Sequence, residues 1–253
     1  MGFRKRSRSE IIASGIIFII TLTSVLLNIF LYREMMKYYK LLYASELDPL
    51  GLSYYQTQPV EHSSDLPMVV FFGDSRASQW VTPTLEGFAF VNRGIGNQTS
   101  AQVASRFEFH ASPLKPEIII IQVGINDLKT IPLFPERKGE IISNCERNID
   151  KIVYDSLANN ATVILTTIIP ASGNVPLARK LVWSDEIYKA IAEVNSHIAG
   201  LASDKVIVLD AASLVSDSDG KTKPEYSADL LHLNRAGYKA INLELVKILQ
   251  TLD

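Results

Sequence analysis

Two stretches, "EIIIIQV" at residues 117–123 and "TVILTT" at residues 162–167, are apolar at almost every position. A strand with one wet face alternates apolar and polar residues, whereas a run apolar on both faces must be covered on both sides. Further strand-like runs lie at 68–72, 88–91 and 206–209, and helical spacing fits 100–109, 138–157, 184–202 and 235–252. Short buried strands alternating with amphipathic helices predict an α/β layer fold with a mostly parallel sheet. No internal repeat or low-complexity segment interrupts the pattern.

A different constraint acts near the N-terminus, where the 22 residues from Ile11 to Tyr32 carry no charge. As a helix they span roughly 33 Å, enough for the core of a bilayer. A cleaved signal peptide has a shorter apolar region, about 7 to 15 residues, followed by a small-residue cleavage site, so an uncleaved transmembrane helix fits better. Arg4, Lys5, Arg6 and Arg8 precede the span and place the N-terminus in the cytoplasm by the positive-inside rule, with the globular part periplasmic or extracellular. Arg33, Lys37 and Lys40 on the far side oppose this orientation, and Glu34 and Glu46 offset them in part. The expected organisation is a basic tail (1–10), the span (11–32), a juxtamembrane helix and linker (33–64), and a catalytic domain from about Asp65 to residue 253. Tyr54 and Tyr55 suit either the membrane interface or the domain surface.

The remaining 190 or so residues can bury one sizeable core. A net charge of -2, with no basic stripe outside the N-terminus, argues against nucleic acid as a partner. Cys145 is the only cysteine, which excludes an intramolecular disulfide and suits a small buried hydrophobe. His62, His110 and His197 have no metal-ligand spacing with Cys145 or with each other, so no metal site is expected. "GIGNQT" lacks the third glycine of a dinucleotide loop, and no cofactor is expected.

Ligands of parallel α/β sheets bind beyond the carboxyl ends of the strands. The segment "VVFFGDSRASQW" delivers Gly73, Asp74 and Ser75 to such an end. Alone, these are ordinary turn residues. Three other segments supply complementary chemistry: "NRGIGNQTS" from Asn92, "GINDL" from Gly124 and "DLLHLNRAGY" from Asp229. A serine nucleophile needs an imidazole to take its proton, a carboxylate to orient the imidazole and donors for the oxyanion. Asp229 and His232 are three residues apart, close enough for one turn to pair them. Asp74 and Asp127 are expected to hold loop backbone rather than to move protons.

The four blocks, in this order, resemble those of the SGNH hydrolases, or GDSL-type esterases. The resemblance implies a three-layer α/β/α sandwich with a flavodoxin-like sheet. It also implies Ser75 as nucleophile and backbone oxyanion donor, Asn126 as side-chain oxyanion donor, and Asp229 and His232 as the rest of a triad. The second block departs from the family pattern, with Asn97 where a glycine is usual. Its backbone N–H is the expected donor, with Gly96 as the alternative, because asparagine tolerates left-handed backbone geometry better than most residues. Arg76 and Leu233 stand where the family commonly has leucine and proline, and neither is expected to touch the proton relay. The activity implied is hydrolysis of short acyl esters, above all O-acetyl groups on envelope carbohydrate, through an acyl-serine. An O-acyltransferase, a lysophospholipase or thioesterase, and a non-catalytic envelope-binding module stay open as alternatives.

Overall fold

The computed structural model describes residues 7–55 and 66–252. Arg4, Lys5 and Arg6 of the basic tail, linker residues 56–64 with His62, and the expected boundary at Asp65 lie outside the described residues. The chain divides into two compact units, Met1–Pro49 and Leu50–Asp253.

In the first unit a single helix, α1, runs without a break from Arg8 to Leu47. The stretch expected to span (11–32) and the juxtamembrane helix expected after it form one continuous helix. Residues 33–47 contain neither glycine nor proline, so nothing stops the helix until Pro49 and Gly51. Ser7 caps it, accepting the Glu10 N–H while the Glu10 carboxylate returns to the Ser7 N–H. None of its residues is buried, and it is long and apolar enough to cross a membrane.

The second unit is built on five parallel strands: β1 (Met68–Gly73), β2 (Ala89–Gly94), β3 (Ile118–Gln122), β4 (Thr162–Thr166) and β5 (Val206–Leu209). Their order, β2-β1-β3-β4-β5, is that of a flavodoxin-like sheet. Alternate side chains go to opposite faces. Val70, Phe72, Ile119, Ile121, Val163 and Leu165 join one core cluster, while Val69, Phe71, Ile118, Ile120 and Ile164 join the other. The first cluster is covered by α3 (Ser100–Ser105), α4 (Phe107–His110), α6 (Lys138–Ala158) and α7 (Glu186–Gly200), and the second by α8 (Ala211–Val215) and α9 (Arg235–Gln250). This is the expected three-layer sandwich, and it explains why β1, β3 and β4 read as uninterrupted apolar runs. Cys145 is buried in the first cluster, where burial pushes its thiol pKa well up.

Two local features were not visible in the periodicity. Short helices follow strand ends, α2 (Ser75–Ser78) after β1 and α5 (Ile125–Leu128) after β3; four residues are too few to show a helical period. The helix expected over 100–109 is split at Arg106, whose side chain is fully buried and reaches the ends of β1 and β2.

Candidate active site

β1 ends at Gly73, where φ is +152° and an added Cβ would come within 1.9 Å of the Gln122 carbonyl oxygen, so only glycine fits. The chain then turns sharply into α2. Asp74 caps this helix by accepting the Arg76 N–H at 2.8 Å, and Ser75 is its first residue, partly exposed at the carboxyl edge of the sheet. The other carboxylate oxygen of Asp74 is buried with no hydrogen-bond partner among the described residues. Desolvation raises the Asp74 pKa to about 6, against the opposing pull of Arg76.

The segment after α8 returns to the same edge. Asp229 Oδ1 accepts the backbone N–H groups of Leu231 and His232, both at 2.8 Å, so the loop closes on its own carboxylate. The same carboxylate meets His232 Nδ1, with Oδ2 at 2.8 Å. Partial burial pushes the Asp229 pKa up, but the His232 ring and these two amides outweigh it and hold the carboxyl below its ordinary range. On the other side of the ring, His232 Nε2 lies 2.9 Å from Ser75 Oγ, across 157 residues of sequence. With the Nδ1 proton directed at the carboxylate, Nε2 is left to accept from the serine hydroxyl. The structure thus brings Ser75, His232 and Asp229 into one hydrogen-bonded line.

Asn126 is the second residue of α5 and is buried. Its Nδ2 donates to the Gln98 carbonyl at 3.0 Å, and its Oδ1 accepts from Lys129 Nζ at 2.5 Å. The ammonium on the oxygen fixes which way the amide faces. Burial pulls the Lys129 pKa down, Asp74 opposes this, and Arg179 and Arg76 add to the lowering. Asn97 adopts φ +63°, in the left-handed region, and is exposed beside Gly96, whose added Cβ would lie 3.9 Å from Ser75 Cβ. The Gly96-Asn97 turn therefore borders the serine, and Gln98 joins it to the Asn126 amide. Asp127 receives the N–H and hydroxyl of Ser100, at 2.8 and 2.7 Å, and so ties α5 to the start of α3.

Arg76, noted in the sequence only as a departure, is fully buried. It touches neither the His232 ring nor the Ser75 hydroxyl through its guanidinium. Its Nε donates to the Leu231 carbonyl at 2.8 Å, and the remaining nitrogens reach the carbonyls of Ile169 and Pro170. Lys129 and Gln98 were likewise not singled out. An arginine three positions beyond an otherwise buried strand is the one signal that bears on Arg76. Among the described residues there is no group of three or more His, Cys, Asp or Glu side chains able to hold a metal ion. His197 instead pairs with Asp150 at 2.7 Å on the helix surface.

A doubly covered parallel sheet with a serine, an imidazole and a carboxylate aligned at its strand ends defines an α/β protein of hydrolase-like architecture. The chain belongs to the GDSL-like lipase/acylhydrolase family, the SGNH hydrolases, whose profile matches residues 66–240. It is therefore a member of a family of ester-bond hydrolases. Among solved structures it is similar to a Bacteroides fragilis protein assigned as an acylhydrolase, with 28% identity, 81% of this chain and 99% of that one covered, and a TM-score of 0.62. A GDSL-like lipase of Bacteroides thetaiotaomicron (22% identity, 81% and 99% covered, TM-score 0.61) and an acetylxylan esterase of Geobacillus stearothermophilus (17%, 72% and 93%, 0.57) share the fold. No curated protein matches the chain.

Proposed function

We propose that the protein is a membrane-anchored serine esterase that removes short acyl groups, chiefly O-acetyl, from envelope carbohydrate. The observation that carries this reading is the line from Ser75 Oγ through His232 to Asp229. In the first step Ser75 Oγ bonds to the acyl carbon while His232 Nε2 takes the hydroxyl proton. Negative charge gathers on the former carbonyl oxygen, which the N–H groups of Ser75 and Asn97 and the free N–H of the Asn126 amide receive. The C–O bond to the alcohol breaks as the imidazolium returns its proton to the leaving oxygen. Water, deprotonated by His232, then releases the acyl group as an acid and restores Ser75.

The acetylxylan esterases among the structural neighbours support a small acyl group on carbohydrate as the substrate class. Helix α1 and the Arg/Lys cluster before it support a single-pass anchor with the N-terminus cytoplasmic and the catalytic unit outside. The test is turnover of p-nitrophenyl esters of graded chain length by the full-length protein, with fluorophosphonate labelling alongside. Acetyl and propionyl esters are expected to be preferred, and Ser75→Ala is expected to abolish both turnover and labelling. Labelling of Ser75→Ala at the parent's level would remove Ser75 from its role.

A further inference from the structure

The segment that follows α1 by sequence is not spacer. Residues 50–55 lie against the end of β2 and the flanks of the turn that carries Asn97 through Leu50, Gly51 and Tyr55, and against α4 through Leu52. The Leu50 carbonyl accepts Gln98 Nε2 at 2.8 Å. Gly51 sits so close to Ile95 and Gln98 that an added Cβ would come within 3.1 Å of Ile95 Cδ1 and 3.2 Å of Gln98 Nε2, with φ at +68°. The Leu52 carbonyl lies 3.3 Å from His110 Nε2. The Tyr55 hydroxyl donates to the Gly94 carbonyl at 2.6 Å, while its ring packs on the Arg93 guanidinium and edge-on to His110.

The contacts of Leu50, Gly51 and Tyr55 fall on both shoulders of the exposed Gly96-Asn97 turn. Ile95 and Gln98 are 7% and 5% exposed, yet Ile95 belongs to neither core cluster. From the inner side Arg106 holds the same region, with Nε on Gln98 Oε1 at 2.5 Å and the other nitrogens on the Arg93 and Gly73 carbonyls. Gln98 is thus gripped by Arg106 at one end of its amide and by Leu50 at the other, and its own carbonyl receives Asn126. Asparagine itself permits the left-handed turn, and the contacts on its two flanks fix where that turn stands.

We propose that residues 50–55 are a positioning segment of the active site, with Tyr55 its principal side chain: they set the Gly96-Asn97 turn so that its backbone amide meets the oxyanion. This rests on the esterase reading above. The segment touches no reacting atom and acts through the turn alone, so its loss lowers kcat and leaves KM almost unchanged.

The test uses the full-length chain in detergent. Tyr55→Phe deletes the hydroxyl bond and keeps the ring, Gly51→Val unseats the segment, and Tyr154→Phe on the exposed face of α6 is the control. Turnover of p-nitrophenyl acetate is expressed per fluorophosphonate-labelled site, and amide exchange is followed over residues 95–98. Expected are a fall in kcat per site of about fivefold for Tyr55→Phe, as for one lost hydrogen bond, and a larger fall for Gly51→Val. KM stays within about twofold, exchange at 95–98 quickens, and Tyr154→Phe matches the parent. Unchanged turnover per site with unchanged exchange in folded variants overturns the proposal. So does a loss of labelled sites with full turnover at those remaining, the signature of a purely structural role. Faster exchange in both variants, of a parent that neither turns over esters nor labels, supports the grip on the turn and sinks the esterase reading instead.

Discussion

Arg76 Nε donates to the carbonyl oxygen of Leu231 at 2.8 Å, joining the residue after Ser75 to the residue before His232. The bond couples the serine turn to the histidine loop by a route independent of the hydroxyl and the ring. Because the guanidinium is fully buried and its other nitrogens hold the Ile169 and Pro170 carbonyls, three acceptors depend on it.

Arg76→Met is therefore expected to lower unfolding free energy by about 2–5 kcal/mol, since it strands buried carbonyls and leaves Asp74 without its neighbouring cation. Arg76→Lys should not restore it, because one ammonium cannot reproduce a planar fork spread over three carbonyls. Denaturant titration of both variants checks this; a lysine variant as stable as the parent would count against the bracing role.

Asn126→Ala removes a side-chain donor from the proposed oxyanion site and should reduce kcat on the order of a hundredfold to a thousandfold. Lys129→Met leaves that donor in place but frees its amide to flip, so a smaller loss, about tenfold, is expected. Steady-state kinetics of the two single variants and the double variant would show it. Since Lys129 acts through Asn126, the double variant should be no worse than Asn126→Ala alone.

Asp229 has a side chain 59% exposed, so its charge is screened more than that of a buried triad carboxylate. Asp229→Asn should consequently cost less than loss of Ser75, roughly ten- to a hundredfold in kcat, and added salt should narrow the gap between parent and variant. Measuring both proteins at low and high ionic strength decides the point.

Asp74 gives a pH signature of stability. Its folded pKa of about 6 lies above the ordinary carboxylate range near 4, because desolvation disfavours the charged form. Between these values the folded state holds a proton that the unfolded chain has lost, so stability falls as pH rises from about 4 to 6 and levels off above. The difference in unfolding free energy between parent and Asp74→Asn should decline by about 3 kcal/mol across that window. A difference that stays flat from pH 4 to 7 would show that the carboxyl is not held protonated.

Much of this protein was settled by residues close together in the chain. The apolar runs of β1, β3 and β4, the uncharged stretch in α1 and the Asp229-His232 pair all express spacing within a strand, a helix or a single turn, where side-chain direction follows directly from backbone period. Sequence order and strand content also sufficed for the layered architecture, because parallel strands require crossovers that cover both faces. What spacing could not determine was which distant groups meet. The 157-residue approach of His232 to Ser75 was only an expectation from resemblance, and the burial of Arg76, the Lys129 contact and the seating of residues 50–55 on the Asn97 turn left no periodic trace. Such contacts are decided by the packing of loops at the sheet edge, where a partner's identity depends on the whole fold and not on the residues beside it.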